Sequence, residues 1–304
     1  MTVTVLVPDE YGVAAVSRVE GARALRFTLG EPLPAGADEA EILVPGFLVG
    51  PHAVEMTWAL PKLRYIQLLT AGAEHWVGRV PEGVLLSIAR GAHGASTAEW
   101  AVTGLLSVYR EFTGFAVAQR EHRWTQHQTD TLQGKRILIV GAGDLAAQTR
   151  RMLEPFDTEV VVVGTHARGD IRGIGELPTL LGDFDAVILM VPVTSQTVGL
   201  VDAEFLSRMA DGAILVNAAR GPIVRTDDLL AELTRGRLRA ILDVTDPEPL
   251  PADHPLWDAP GLLLTPHVGG SSRGSLERAW TVAISEIERY LGDEQPRNIV
   301  HGEY

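Results

Sequence analysis

Three polar side chains, Arg220, Glu248 and His267, each stand a few residues beyond a short apolar run. An arginine grips carboxylate oxygens through a planar fork and never loses its charge. A histidine titrates near working pH and can hand a proton to a forming alkoxide. A carboxylate beside that histidine orients the ring and favours its protonated form. Reducing a carbonyl next to a carboxylate needs one of each. Taken singly, each residue also has a plain structural reading: Arg220 as a surface arginine near a helix, Glu248 as a solvated acid between Pro247 and Pro249, His267 as a turn residue after Pro266. Taken together they share a location. The preceding runs, residues 213–217, 239–244 and 262–265, read as strands buried on both faces of a parallel sheet. Ligands of such sheets bind beyond the carboxyl ends of the strands, where all three groups stand.

A second pattern supplies a partner for that chemistry. The apolar run 137–140 leads into Gly141-Ala142-Gly143-Asp144-Leu145-Ala146 and then into helical sequence. In that setting Gly141 permits a tight turn, Gly143 lets backbone approach a pyrophosphate, and Ala146 allows close helix packing. The helix amino terminus offers free N–H groups to the phosphates. An ordinary tight turn has the same glycines, but the strand and helix context favours dinucleotide binding. NAD-binding folds place an acid on the ribose about 20 residues further on. Here the stretch is Thr165-His166-Ala167-Arg168, with no carboxylate before Asp170. A missing acid with a nearby cation suits a 2′-phosphate, so NADP is the preferred cofactor and NAD the other choice. Arg168 as a solvated loop residue is the competing reading.

The elements that must carry these groups form two βα series. Residues 3–7, 24–28, 41–44, 65–69 and 84–88 read as strands separated by turn and helix signals. A long helix follows, capped by Ser96 or Thr97, with apolar spacing through Trp100, Leu105, Val108 and Phe112, and it carries the chain across to a second domain. The second series has strands at 134–140, 159–163, 185–191, 213–217, 237–244 and 262–265, with helices at 145–153, 203–209 and 226–234. An amphipathic stretch at 274–291 closes the chain as a helix that can return to the first domain.

Bulk properties exclude several function classes. The 304 residues fit two domains, and 46% hydrophobic content supplies both cores. The longest apolar stretch, residues 186–193, contains Pro192 and falls short of the roughly 18 residues a membrane helix needs. The first eight residues lack a basic region and read as a strand rather than a signal peptide, so the protein is expected to be cytoplasmic. With no cysteine, disulfides, thiolate metal sites and a cysteine nucleophile are excluded. The formal charge of −13, with scattered basic residues, argues against nucleic acid and for small-molecule chemistry.

Five segments then make a resemblance explicit: 140–143, 216–224 around Arg220, 242–251 around Glu248, 254–257 (His254-Pro255-Leu256-Trp257) and 265–270 around His267. In family order over residues 60–272, they resemble the D-isomer-specific 2-hydroxyacid dehydrogenase family. The resemblance implies an α/β fold of two doubly wound parallel-sheet domains. One is a Rossmann cofactor domain over 95–274; the other is a smaller flavodoxin-like substrate domain over 1–94 plus 275–304. It gives Arg220 the substrate carboxylate and carbonyl, His267 the general acid/base role, and Glu248 the partnership with the histidine. It implicates Ala71 and Gly72, in a loop resembling the one whose N–H groups hold the carboxylate. The cofactor contacts would be Gly141, Gly143, Asp144, Leu145, Thr165, His166, Arg168, Pro192, Ala219 and Asp243. A homodimer formed through the cofactor domains is also implied. Formate dehydrogenases of the family carry glutamine at the position of Glu248, which argues against formate.

The expected activity is NAD(P)H-dependent reduction of a small 2-keto acid such as glyoxylate or hydroxypyruvate. The alternatives are a cofactor-sensing or corepressor-like protein on the same fold, which has no use for an acid/base group, and a phosphite-type dehydrogenase. His93 reads as a capping or loop residue ahead of a substrate contact, and Trp257 as a packing anchor. His75, His122 and His127 show no paired spacing with carboxylates, and no metal is expected.

Overall fold

The computed structural model describes residues 2–47, 49, 50 and 52–302; Met1, Leu48, Pro51, Glu303 and Tyr304, which fall inside the expected substrate-domain ranges, lie outside the described residues. The chain divides into two compact units, Met1–His93 with Arg273–Tyr304, and Gly94–Ser272. Among the described residues no helix is long and apolar enough to cross a membrane.

The first unit runs β1 (Val3–Val7), α1 (Glu10–Val16), β2 (Ala22–Arg26), β3 (Ala40–Leu43), α2 (His52–Glu55), β4 (Tyr65–Gln67) and β5 (Leu85–Ser87). The second runs α3 (Gly94–Tyr109), α4 (Phe112–Arg120), β6 (Arg136–Val140), α5 (Asp144–Leu153), β7 (Glu159–Gly164), β8 (Arg172–Gly173), α6 (Leu177–Leu180), β9 (Ala186–Leu189), α7 (Ala203–Arg208), β10 (Ile214–Asn217), α8 (Thr226–Thr234), β11 (Arg239–Leu242) and β12 (Leu262–Leu264). α9 (Ser275–Leu291) then returns the chain to the first unit.

The first sheet has the order β2-β1-β3-β4-β5 and the second β12-β11-β10-β9-β6-β7-β8. All ladders are parallel. The first order is the flavodoxin-like one, and the second is the Rossmann order extended by one strand. Continuous apolar runs form these strands because both faces are covered. Along β6, Ile137 and Ile139 enter one core while Leu138 and Val140 enter the other. Along β1, Leu6 points into one core and Val5 and Val7 into the opposite one. In the first unit, Trp280 of α9 packs so closely on α1 that a Cβ at Gly12 would stand 2.7 Å from its ring.

Several expectations need correction. The long helix starts at Gly94, so Ser96 and Thr97 lie in its first turn rather than capping it. Gly94 can begin the helix there because, lacking a Cβ, it lets the Asp144 side chain lie against its backbone. The helix also stops at Tyr109: Glu111 adopts φ 53°, a break that starts α4 and leaves Phe112 60% exposed. α3 lies in the second unit. β12 is an edge strand and only partly buried, unlike β10 and β11, which are flanked on both sides. Several strands are shorter than their apolar runs; β9 ends at Leu189 and β11 at Leu242.

Candidate active site

Arg220, Glu248 and His267 follow β10, β11 and β12, which are neighbours in the sheet with Asn217 in register with Leu242 and Leu242 with Leu264. Three consecutive loops therefore leave the same edge. His267 Nδ1 lies 2.6 Å from Glu248 Oε1, and the two side chains are 38% and 39% exposed. Since a carboxylate only accepts, Nδ1 carries the hydrogen, and Nε2 remains for proton exchange.

The loops are fixed by buried polar groups. Asn217, 1% exposed, accepts from the Ala219 N–H at 3.0 Å and donates to the Arg220 carbonyl at 2.9 Å. The Arg220 guanidinium donates to the Ala219 carbonyl at 2.7 Å. Gly221 then passes so close to the next loop that a Cβ would stand 1.9 Å from the Thr245 carbonyl oxygen. The Glu248 loop is itself held by Thr245 Oγ1 donating to the Pro247 carbonyl and Thr226 Oγ1 to the Asp246 carbonyl, both at 2.8 Å.

Asp243 organises the histidine loop. Its carboxylate accepts from Thr265 Oγ1 at 2.6 Å, Val268 N–H at 2.8 Å and Gly269 N–H at 2.7 Å, while its carbonyl accepts the His267 N–H at 2.7 Å. Trp100 Nε1 donates to Thr265 Oγ1 at 3.0 Å, tying α3 into the same network. Asp243 is expected from the sequence as a cofactor contact, whereas Asn217, Thr265 and Trp100 carry no expectation of a place in the site. A polar residue closing a buried apolar strand was the available signal for Asn217.

The glycine turn fits a dinucleotide. Gly141 has φ 123°, and a Cβ there would stand 2.4 Å from the Met190 carbonyl oxygen, so only glycine joins β6 to α5 at this point. β6 pairs with β7 on one side and β9 on the other, which is the topological switch point of the sheet. A Cβ at Gly143 would meet nothing within 4 Å, so this glycine faces open space at the start of α5. Ala146 is buried, as close packing requires, and Leu145 is partly buried beside it. One feature is unusual for an anion site: Asp144 puts a carboxylate in the first turn of α5, with Oδ2 buried and no partner for it among the described residues.

Thr165, His166 and Arg168 follow β7 and are exposed. Arg168 reaches back to donate to the Ala142 carbonyl at 3.2 Å, which sets a cation beside the glycine turn. Asp170 is paired with Arg150, and that guanidinium holds its carboxyl below the usual range. Pro192 and Ala219 follow β9 and β10.

Ala71 and Gly72 lie in the other unit, in the loop after β4. The Thr70 carbonyl accepts the Ala89 N–H at 2.9 Å, and Thr70 Oγ1 donates to the Gly72 carbonyl at 2.9 Å. Among the described residues the N–H groups of Ala71 and Gly72 take no part in the backbone hydrogen bonds of this loop. His93 is buried, 2.9 Å from the Leu69 carbonyl. Trp257 is 51% exposed rather than a buried anchor, and its indole N–H reaches the Pro251 carbonyl at 2.7 Å. Among the described residues no three His, Cys, Asp or Glu side chains stand together as a metal-binding group.

Comparison with known proteins matches residues 102–269 to the model of the D-isomer specific 2-hydroxyacid dehydrogenase NAD binding domain. A glyoxylate reductase of Thermofilum pendens is 30% identical over 266 residues, 82% of this chain and 78% of that one. A glyoxylate/hydroxypyruvate reductase A of Salmonella paratyphi B is 32% identical over 216 residues, 69% and 67% of the two chains. A shorter match, 34% identical over 168 residues to an uncharacterised protein of Corynebacterium melassecola, spans 53% of this chain and 55% of the other. The crystal structure of a D-isomer specific 2-hydroxyacid dehydrogenase from Xanthobacter autotrophicus, in complex with NADPH and MES, superposes with a TM-score of 0.86 at 25% identity, covering 99% and 98% of the two chains.

Proposed function

Since this chain belongs to the D-isomer specific 2-hydroxyacid dehydrogenase family, we propose that it reduces a small 2-keto acid, of the size of glyoxylate or hydroxypyruvate, with NADPH. The observation that carries this reading is the 2.6 Å His267–Glu248 pair one strand away from the Arg220 loop. It is the set that carbonyl reduction requires.

In this proposal Arg220 grips the carboxylate and polarises the carbonyl through its fork. A bound nicotinamide supplies the hydride to the carbonyl carbon. His267 Nε2 gives the proton to the forming alkoxide, and Glu248 keeps the ring oriented. Ala71 and Gly72 offer their N–H groups to the carboxylate. Gly141, Gly143 and Leu145 hold the pyrophosphate at the start of α5. Pro192, Ala219 and Asp243 border the nicotinamide end, with Asp243 acting chiefly by fixing the His267 loop.

NADPH over NADH is supported by exposed Thr165, His166 and Arg168 after β7 and by the pairing of Asp170, the first acid after that strand, with Arg150. The NADPH complex of the Xanthobacter protein supports the same choice. A homodimer through the cofactor-binding unit is part of the proposal, supported by exposed Phe112, Val117 and Trp124 in and after α4. So is action in the cytoplasm.

Steady-state reduction of glyoxylate, hydroxypyruvate, pyruvate and an aromatic keto acid with NADPH and NADH tests the reading. The expected result is turnover of the small keto acids with kcat/KM about tenfold or more higher for NADPH, as a phosphate–arginine contact warrants, and loss of that preference in Arg168→Ala. Cofactor binding without turnover of any keto acid would favour a sensor. Oxidation of phosphite in its place would favour a phosphite-type dehydrogenase.

A further inference from the structure

Resting on the reading that Ala71 and Gly72 bind the substrate carboxylate, we infer that His93 is the positioning residue of that loop. The hydrogen bonds of residues 69–72 hold three carbonyls. Leu69 O faces His93 Nε2 at 2.9 Å, Thr70 O accepts the Ala89 N–H, and Gly72 O accepts Thr70 Oγ1. A held carbonyl turns the N–H of the same peptide the other way, so the Leu69 bond orients the Thr70 N–H at the start of the turn and the Thr70 bond orients the Ala71 N–H, as an anion-binding turn requires. Thr70 Oγ1 is a local anchor, and Ala89 lends a backbone N–H from further along the chain. His93, 24 residues away in sequence and at the end of this unit's first segment, lends a side chain.

The chemistry of His93 suits the task. A carbonyl only accepts, so Nε2 carries a hydrogen. Burial keeps the ring below the ordinary histidine value; the Leu69 carbonyl pulls the other way, and the Arg278 charge adds to the lowering. Its ring packs against Phe47 at a centroid distance of 5.4 Å. Arg278 of α9 donates to the neighbouring Ala92 carbonyl at 3.0 Å, so the backbone that carries His93 is itself anchored. His93 lies outside the Arg220, Glu248 and His267 set, and its influence on the substrate passes through the loop.

The test compares His93→Ala with His93→Gln, whose amide nitrogen occupies nearly the reach of Nε2, in the full chain. His93→Ala is expected to raise the KM for glyoxylate about tenfold, the worth of one buried hydrogen bond, with kcat and the NADPH KM within about twofold. His93→Gln should recover most of the loss. An unchanged glyoxylate KM in folded His93→Ala, or equal losses in the two variants, overturns the inference. If His93→Ala does not fold, His93→Asn, too short to reach Leu69, replaces it in the same comparison. Repeating the series with a methyl ester of the keto acid separates the two readings. An effect confined to the acid supports both. An equal KM effect on acid and ester, rescued by glutamine, supports His93 as positioning residue and overturns carboxylate binding by Ala71 and Gly72.

Discussion

His267 adopts φ 55°, a left-handed conformation that a residue with a side chain takes only where its neighbours hold it. Asp243 does the holding, accepting the His267 N–H at its carbonyl and the next two N–H groups at its carboxylate. Backbone in that conformation turns the ring toward Glu248, and the resulting pair leaves Nε2 as the proton donor. Replacing His267 by Ala is then expected to lower kcat by roughly 10²- to 10⁴-fold, the usual worth of a general acid. Near-normal keto-acid reduction by His267→Ala would remove the proton-transfer role. Arg220→Lys keeps the charge but loses the fork, so the keto-acid KM should rise with kcat falling. Identical constants in that variant would take the carboxylate from Arg220.

The three loops act as one piece because their backbones touch. At Gly221 the Arg220 loop runs against the Thr245 carbonyl, where a Cβ would stand at 1.9 Å. Gly221→Ala must push the loops apart, and overpacking of that kind costs about 1–3 kcal/mol. Urea unfolding should register the loss, and kcat/KM should drop along with it because Arg220 and Glu248 flank the contact. A variant of unchanged stability and activity would show that the contact does not position the site. Such interlocking explains what the sequence could and could not reveal. β6, β9 and β10 were legible as unbroken apolar runs, since both their faces are covered. Their ends were less so: Met190 follows β9 in the same apolar run, yet its carbonyl already borders Gly141. β8 went unseen because it has two residues, Arg172 and Gly173, and pairs only at the sheet edge. The α3–α4 break falls on Glu111, which carries no glycine or proline signal, so the helical spacing runs on to Phe112 in the sequence. Arg220, Glu248 and His267 stood out by their place after strands. The network of Trp100, Thr265 and Asp243 did not, because its members lie far apart in the chain and are joined only by the fold.

A chain with a formal charge of −13 repels its own copies, so self-association needs an apolar surface to overcome that repulsion. α4 has that character: of its residues only Ala118 is buried, and Phe112 and Val117 are 60% and 48% exposed. Trp124, just beyond the helix, is 92% exposed. Large apolar side chains exposed on a helix and on the segment after it favour an association surface over a solvated one. In a two-fold dimer each copy contributes the same patch, so any substitution acts twice. Placing a charge at a central aromatic position costs about 2 kcal/mol or more per copy. Doubled by symmetry, that weakens the dimer by about 10³-fold. Sedimentation velocity at micromolar concentration should find the parent protein dimeric, and Phe112→Glu combined with Trp124→Glu monomeric at the same concentration. Circular dichroism and thermal unfolding of the double variant check that each copy stays folded. A parent that sediments as a monomer would end the dimer proposal outright. A dimer indifferent to both substitutions would move its interface away from α4, and the exposed aromatics would then need another partner.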